Sequence, residues 1–133
     1  MSNVALDFGI RVEGAGDPAA VVPSGSIQAG VTNNNSSVFT TALDAIRVRS
    51  RRTITLCSEI RANTTNAGGS GFFGIFANQS NTSTFSVEGL TSGTQTAATA
   101  QTYLISQNPA ATTLSSTAAT NYTGVVANTC AIP

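Results

Sequence analysis

Apolar and polar residues alternate with a period of two through positions 45–61, AIRVRSRRTITLCSEIR. A helix would scatter the apolar residues of this stretch around its axis, and the β-branched run at 53–55 also favours an extended backbone. The pattern therefore predicts a long central strand, bent near the polar step at 50–52, with one side on the core. The positions on that side are Ile46, Val48, Ser50, Arg52, Ile54, Leu56, Ser58 and Ile60.

The start of the chain carries a second alternating ladder, in which five apolar side chains share one face: Val4, Leu6, Phe8, Ile10 and Val12. Burying five such side chains would stabilise a structure by roughly 7–15 kcal/mol as an upper bound. Turn-forming residues at 14–18 end the ladder. We therefore predict an N-terminal strand at 1–13, followed by one β-domain at 14–133. The five ladder residues are expected to form a subunit interface.

Short apolar segments separated by turns rich in Gly, Asn, Ser and Pro fill the rest of the chain. The segments at 72–77, 84–90, 101–107 and 122–132 are predicted strands, and helical spacing behind Ser37 predicts one short helix at 38–46. No repeat of fixed period is visible in the sequence. Because short strands joined by short turns are typical of antiparallel folds, the predicted fold class is all-β. We expect a single-domain antiparallel β-sandwich or jelly-roll-like barrel with at most one short helix.

Charged residues make up only 9% of the 133 residues, with six arginines balanced by six acidic residues and with neither lysine nor histidine. So few charges give no broad electrostatic footprint for nucleic acid or for a membrane surface. The lack of histidine removes the usual general base near neutral pH and the imidazole ligands of metals. Two carboxylates would suffice for glycoside hydrolysis, but several of the acidic residues fall on solvent-side strand positions. We therefore expect no enzyme, no cofactor and no metal site.

Membrane insertion is not expected either, because no apolar stretch reaches ~18 residues. The first residues of the sequence also lack the basic and apolar segments of a signal peptide.

The two cysteines, Cys57 and Cys130, are predicted to pair in a disulfide, since an even count in a small, weakly charged chain favours an oxidising compartment. Closing a loop of that length would stabilise the fold by about 4 kcal/mol through loop-closure entropy. Two buried free thiols, or bonds between subunits, are the alternatives.

The polar side of the central stretch carries a stripe of arginines, Arg47, Arg49 and Arg51, with Arg61 further along. Guanidinium groups about 6.6 Å apart on one strand face can bind phosphates or carboxylates in a bidentate manner. We therefore note these four residues as a candidate anion or RNA contact. The alternatives are a solvated face, a face paired across strands, or salt bridges between subunits to Asp44 and Glu59.

The N-terminal ladder resembles the donor strand of chaperone-usher pilins and of other filaments that exchange donor strands. The closing segment at 121–126, NYTGVV, is similar to the last strand of a pilin. The resemblance implies that alternate apolar side chains of the ladder fill a groove in a neighbouring subunit by strand addition.

A different part of the chain resembles the first half of the coat proteins of small single-stranded RNA phages. The similar segments are, in order, GAGD at 14–17 through VPS at 22–24, AGV at 29–31 and ITLCS at 54–58. This resemblance implies that Arg47, Arg49 and Arg51 face packaged RNA.

Both resemblances belong to small β-rich subunits that are repeated in an assembly. We therefore expect a structural protein that forms a homopolymer with copies of itself, most of all an extracellular or cell-surface filament built by β-strand addition. The alternatives are a coat subunit of a virus-like shell, located in a virion and binding RNA, and a secreted glycan- or protein-binding domain.

Overall fold

The computed structural model of the chain describes residues 9–14, 25–35, 44–65, 73–80, 82–109, 114–115 and 122–130. The described residues form nine strands and one helix. In chain order these are β1 (Ile10–Gly14), β2 (Gly25–Thr32), β3 (Ile46–Arg51), β4 (Ile54–Arg61), β5 (Ile75–Ser80), β6 (Thr84–Glu88), β7 (Gly93–Gln95), α1 (Ala97–Gln107), β8 (Leu114–Ser115) and β9 (Tyr122–Val125).

The strands form two sheets that are almost entirely parallel. Sheet 1 has the order β1-β3-β5-β8, and sheet 2 has the order β2-β4-β6-β9-β7. Every neighbouring pair is parallel except β7 and β9. From β1 to β6, consecutive strands lie in alternate sheets, and each of β1 to β4 pairs with the strand two places later. This is the topology of a β-solenoid, in which the chain winds in coils that stack on one another.

The prediction of an antiparallel sandwich or jelly-roll-like barrel is therefore wrong. Alternation of period two shows which side chains face the core, but it is the same in parallel and antiparallel strands. The short turn at 52–53 joins no antiparallel pair, because it carries the chain from sheet 1 into sheet 2.

The central stretch is two strands, β3 and β4, rather than one bent strand. Arg52 stands at the corner between them with a φ of 60°. The burial of side chains nevertheless follows the predicted alternation: the inward positions of both strands are buried from Ile46 to Ile60, while the intervening arginines and threonines are half-buried or exposed.

Successive coils are offset by a constant 29 residues over the middle of the chain, although no repeat of fixed period is visible in the sequence. Ile46 pairs with Ile75, and Thr55 pairs with Thr84. The repeat lies in backbone geometry rather than in residue identity. It extends to the corners that follow β2 and β4, where Asn33 and Ala62 have φ values of 56° and 55°.

An asparagine ladder crosses the coils directly after this corner. The backbone N–H and the side-chain amide of Asn34 both donate to Oδ1 of Asn63, at 3.1 and 3.0 Å. Asn63 donates in the same two ways to Oδ1 of Asn108, at 3.1 and 2.9 Å. Asn108 ends the ladder by donating to the carbonyl oxygens of Ile60 and Leu104. The ladder satisfies polar groups that are buried between the coils.

The core lies between the two sheets and is built from inward side chains of successive coils. Leu56, Phe85 and Tyr122 are fully buried, and the Phe85 and Tyr122 rings lie 5.4 Å apart between centroids. The Tyr122 hydroxyl donates to the carbonyl of Ala77 at 3.0 Å, so the ring joins sheet 2 to sheet 1.

The segment predicted as a strand at 101–107 belongs instead to helix α1. The Thr96 hydroxyl caps the helix by accepting from the N–H of Thr99, and Ala100 and Leu104, one turn apart, are its buried residues. An alanine-rich start behind a threonine cap is a helix signal, and it was outweighed by the apolar run at 103–105. The predicted helix at 38–46 falls mostly outside the described residues, and its last residue, Ile46, opens β3.

Candidate functional site

The arginine stripe lies on the outer side of sheet 1, where β1 and β3 run side by side. We call this surface the arginine face and define it by the outward side chains of the two strands: Arg11, Glu13, Arg47, Arg49 and Arg51. The parallel register places Arg11 beside Arg47 and Glu13 beside Arg49. Four of the six arginines of the chain therefore meet on one surface.

Glu13 is the centre of the arginine face. Its Oε2 atom lies 2.6 Å from Nη2 of Arg11, and its Oε1 atom lies 3.4 Å from Nη1 of Arg51 and 3.9 Å from Nη1 of Arg49. The side chain of Glu13 is only 5% exposed, whereas those of Arg49 and Arg51 are 25% and 37% exposed. One nearly buried carboxylate is thus shared by three guanidinium groups that reach the surface.

Two pKa shifts reflect the electrostatics of the arginine face. Burial would raise the pKa of Glu13, but its hydrogen bond from Arg11 and the charges of Arg11 and Arg49 outweigh burial and lower it. The pKa of Arg49 is lowered by partial burial and then by the repulsion of Arg51, which the attraction of Glu13 does not fully offset. The cluster therefore holds its carboxylate ionised and keeps a surplus of positive charge.

Arg47 is fixed by different contacts from its neighbours. Its Nε and Nη2 atoms donate to Oδ2 of Asp44 at 2.9 and 2.6 Å, and its guanidinium lies 5.0 Å from the centroid of the Phe76 ring. Asp44 also accepts from the N–H of Phe73 at 3.0 Å. The Arg47 side chain therefore has a structural role between β3 and β5 in addition to its place on the surface. This salt bridge lies within one chain, whereas the sequence indicated Asp44 only as a partner between subunits.

Arg61 is not part of this surface, because it ends β4 in sheet 2. It pairs with Glu59, which raises the pKa of Arg61 through a hydrogen bond and through its charge. The two side chains border a cleft of about 310 Å³ together with Glu88 and Tyr103. The Tyr103 hydroxyl donates to the carbonyl of Glu88 at 3.0 Å, and burial, followed by the charges of Glu59 and Glu88, raises the pKa of Tyr103.

Cys57 and Cys130 form a disulfide within the chain, which is one of the three arrangements that the sequence left open. The bond fastens the C-terminal turn to the outer side of β4. The carboxylate of Glu88 holds the same turn, since Oε1 accepts from the N–H of Asn128 at 2.8 Å and Oε2 from that of Cys130 at 2.7 Å. We call this surface the tethered face and define it by Cys57, Glu88 and the turn at 126–130.

The N-terminal ladder is described only in its second half. Val4, Leu6 and Phe8 lie outside the described residues. Ile10 and Val12 belong to β1, where they are half-buried and pack against the core of their own chain. Their part in a subunit interface stays a prediction.

The first coil ends the stack with strand edges that no other described strand covers. β1 is the edge strand of sheet 1, and β2 is the edge strand of sheet 2. We call the outer edges of β1 and β2 the open edge. β2 is eight residues long and carries no charged side chain, so it lacks the charges that protect many edge strands from pairing.

Sequence reasoning missed both Glu13 as the centre of the arginine cluster and the asparagine ladder. Glu13 and Arg49 are far apart in sequence, so only the parallel register of β1 and β3 shows that they are neighbours. The ladder had a usable signal, because Asn34 and Asn63 are 29 positions apart and each follows a β-rich segment.

No group of three potential metal ligands occurs within the part of the chain that the structure describes. No helix among the described residues has the length and apolar character needed to cross a membrane. Comparison of the chain with protein-family models, with curated proteins and with solved structures found no match.

Proposed function

We propose that the protein is a structural subunit that polymerises with copies of itself by strand addition at the open edge. The observation that carries the proposal is the incomplete burial of the first coil. Ile10, Val12 and Ile27 are only partly buried, while their register partners one coil later, Ile46, Val48 and Leu56, are fully buried. A further coil stacked on the open edge would bury the first coil in the same way.

Backbone hydrogen bonding also supports another copy of this chain as the partner at the open edge. A β-solenoid extends by adding strands to both sheets at once, and another copy of this chain presents two sheets with the same spacing. At the end opposite the open edge, β8 and β7 are the last strands of the two sheets. Joining this end to the open edge of the next copy is a heterologous contact, which produces an open filament.

The asparagine ladder provides a third argument. Oδ1 of Asn63 accepts from Asn34, Oδ1 of Asn108 accepts from Asn63, and Asn34 is the first described residue of the ladder. A copy stacked on the open edge would bring polar hydrogens towards Oδ1 of Asn34. We place the filament outside the cell, because a disulfide such as Cys57–Cys130 persists in oxidising compartments.

The test is an inward-pointing charge at the open edge. In Ile27→Lys, the ammonium group can reach water through the open edge of an isolated subunit, but stacking would bury it without a partner. We expect negative-stain electron microscopy and sedimentation to show filaments for the native protein and at least a tenfold smaller polymer fraction for the variant, since burying an uncompensated charge costs more than about 1.4 kcal/mol.

Two matched variants serve as controls. Ile27→Met keeps the site apolar, and Thr55→Lys adds the same charge to the exposed outer side of the central strand β4. Both should polymerise like the native protein. Native protein that stays monomeric at high concentration would overturn the proposal, and a discrete dimer would replace the filament by a symmetric pairing of two open edges.

A further inference from the structure

The arginine face has more positive charge than its own carboxylates neutralise. In the described part of the chain, the ion pairs of Arg49 and Arg51 both end on Glu13, which also pairs with Arg11. Asp44 is engaged by Arg47. Among the described residues, Arg49 and Arg51 thus have a single carboxylate between them, which Arg11 also uses, and these groups together carry a net positive charge, although the chain as a whole is neutral.

Contacts within the protein position the guanidinium groups of Arg49 and Arg51 without using all of their hydrogen-bonding capacity. Nε of Arg49 donates to Oδ1 of Asn78 at 2.9 Å, which fixes the plane of the group, while its nearest carboxylate oxygen is 3.9 Å from Nη1. The long contact leaves the Nη edge of Arg49 with hydrogen-bonding capacity. The Arg51 side chain is 37% exposed and makes one contact to Glu13 at 3.4 Å. Preorganised, partly exposed guanidinium groups bind carboxylate and sulfate oxygens well, because less side-chain freedom is lost on binding.

The spacing suits a ligand with repeated charges. Arg49 and Arg51 are two residues apart on one strand, which separates them by about 6.6 Å, and Arg11 lies across the strand gap on β1. They lie on the outer face of a sheet instead of inside a cavity. Such a surface accepts an extended chain that carries one anionic group after another.

We propose that the arginine face binds an acidic polysaccharide, whose carboxylate or sulfate groups pair with Arg49, Arg51 and Arg11. The pKa of Arg49 is lowered first by partial burial and then by the repulsion of Arg51, and a bound anion would relieve that repulsion.

Two observations favour a polysaccharide over single-stranded nucleic acid. Proteins that bind single strands combine positive charge with aromatic rings on which bases stack. The aromatic rings described next to the arginine face are already engaged with other side chains: the Phe73 and Phe76 rings stack with their centroids 5.9 Å apart, and Arg47 lies over the Phe76 ring. In addition, the Cys57–Cys130 disulfide indicates an oxidising compartment, where acidic polysaccharides rather than RNA are the common polyanions.

The experiment measures binding of the whole chain to four probes by titration calorimetry: heparin as a sulfated chain, polygalacturonate as a carboxylated chain, dextran as a neutral chain, and poly(U) as a nucleic acid. The native protein should bind heparin, polygalacturonate or both, should ignore dextran, and should bind more weakly as salt rises. R49Q/R51Q should lose at least about tenfold in affinity, because each charge-assisted hydrogen bond contributes about 1.5–3 kcal/mol.

R61Q is the matched control, since it removes the same kind of charge from sheet 2, and its affinity should stay within about twofold of native because surface charge pairs contribute little. R49K/R51K separates the effect of charge from that of geometry, because it keeps both charges but loses the bidentate guanidinium groups. Its affinity should therefore lie between those of R49Q/R51Q and R61Q. Thermal unfolding of each variant checks that the fold is kept. All measurements are repeated in the Ile27→Lys background, which removes any gain from multivalency in a filament.

Failure to bind either acidic polysaccharide, or equal losses for R49Q/R51Q and R61Q, would overturn the proposal. Binding to poly(U) that is tighter than binding to both polysaccharides and that depends on Arg49 and Arg51 would also overturn it, in favour of a nucleic acid partner. These outcomes do not depend on whether the protein forms filaments.

Discussion

The two outer faces of the solenoid use a nearly buried carboxylate in opposite ways. On the arginine face, Glu13 is surrounded by guanidinium groups of three arginines, whose side chains are partly exposed to water. On the tethered face, Glu88 accepts hydrogen bonds from two backbone N–H groups of one turn, and a disulfide holds that turn to β4. The comparison teaches that an outward-facing carboxylate on a parallel sheet can have either of two roles. It can hold a chain segment in place, as Glu88 does, or it can hold a group of arginines at a charged surface, as Glu13 does.

Removing the disulfide on the tethered face should have the largest effect on the free energy of unfolding. It should leave binding at the arginine face unchanged. Replacing both cysteines, in C57S/C130S, opens a loop that spans 73 positions, so we expect the free energy of unfolding to fall by about 4 kcal/mol through loop-closure entropy. Urea unfolding followed by circular dichroism measures the change. The variant should still bind the polysaccharide probe as the native protein does. A loss below about 1 kcal/mol would show that Glu88 alone holds the turn.

Removing the Glu88 carboxylate should have the next largest effect. In Glu88→Ala, the N–H groups of Asn128 and Cys130 lose a charged acceptor, and the N–H of Cys130 is buried. We expect a loss of about 3 kcal/mol in unfolding free energy. Glu59→Ala is the control, because Glu59 lies nearby on the same sheet but is more exposed and pairs only with Arg61 among the described contacts; its change should stay within about 0.5 kcal/mol. Equal effects of the two substitutions would contradict the assignment of Glu88 to the turn.

Neutralising Glu13 should cost less, and the cost should depend on pH. We expect Glu13→Gln to lower the unfolding free energy by about 1–2 kcal/mol at pH 7, since three arginines lose their shared carboxylate. The pKa of Glu13 is lowered in the folded protein. Its stabilising contribution is therefore present above the pKa of the unfolded chain, about 4.3, and is lost as pH falls through the lower folded value.

Unfolding of native and Glu13→Gln protein between pH 2 and pH 7 tests this sign. The two stabilities should converge at the acidic end, and salt should reduce the difference at pH 7. A difference that is constant over the whole range would mean that Glu13 acts through packing instead of charge. The same substitution should strengthen binding of the polysaccharide probe, since it leaves the arginine face more positive.

The arginine face shows how far sequence reasoning reaches for a site. The stripe on β3 and its outward direction follow from alternation alone, and so does the separation of Arg47, Arg49 and Arg51 from the core. Their partners do not follow, because Glu13 comes from another strand and Arg61 leaves the surface where the chain turns into sheet 2. Helix α1 is the opposite case, because local sequence signals were present but were not followed. Its threonine cap and its alanines are local signals, and they were available in the sequence at 96–104.

The sequence by itself determined which sides of β3 and β4 face the core, since that depends on the local period of two. It also determined that only Cys57 and Cys130 could form a disulfide, because no other cysteine exists. Tertiary structure alone decided the parallel pairing of β2 with β4 and of β3 with β5, and with it the offset of 29 residues that stacks Asn34 on Asn63. The physical reason is that pairing depends on where long connections return the chain. The position at which each connection returns the chain is the one that buries the core between coils and gives the asparagine amides their hydrogen-bond partners. Neither of these interactions can be seen in a single segment of the sequence.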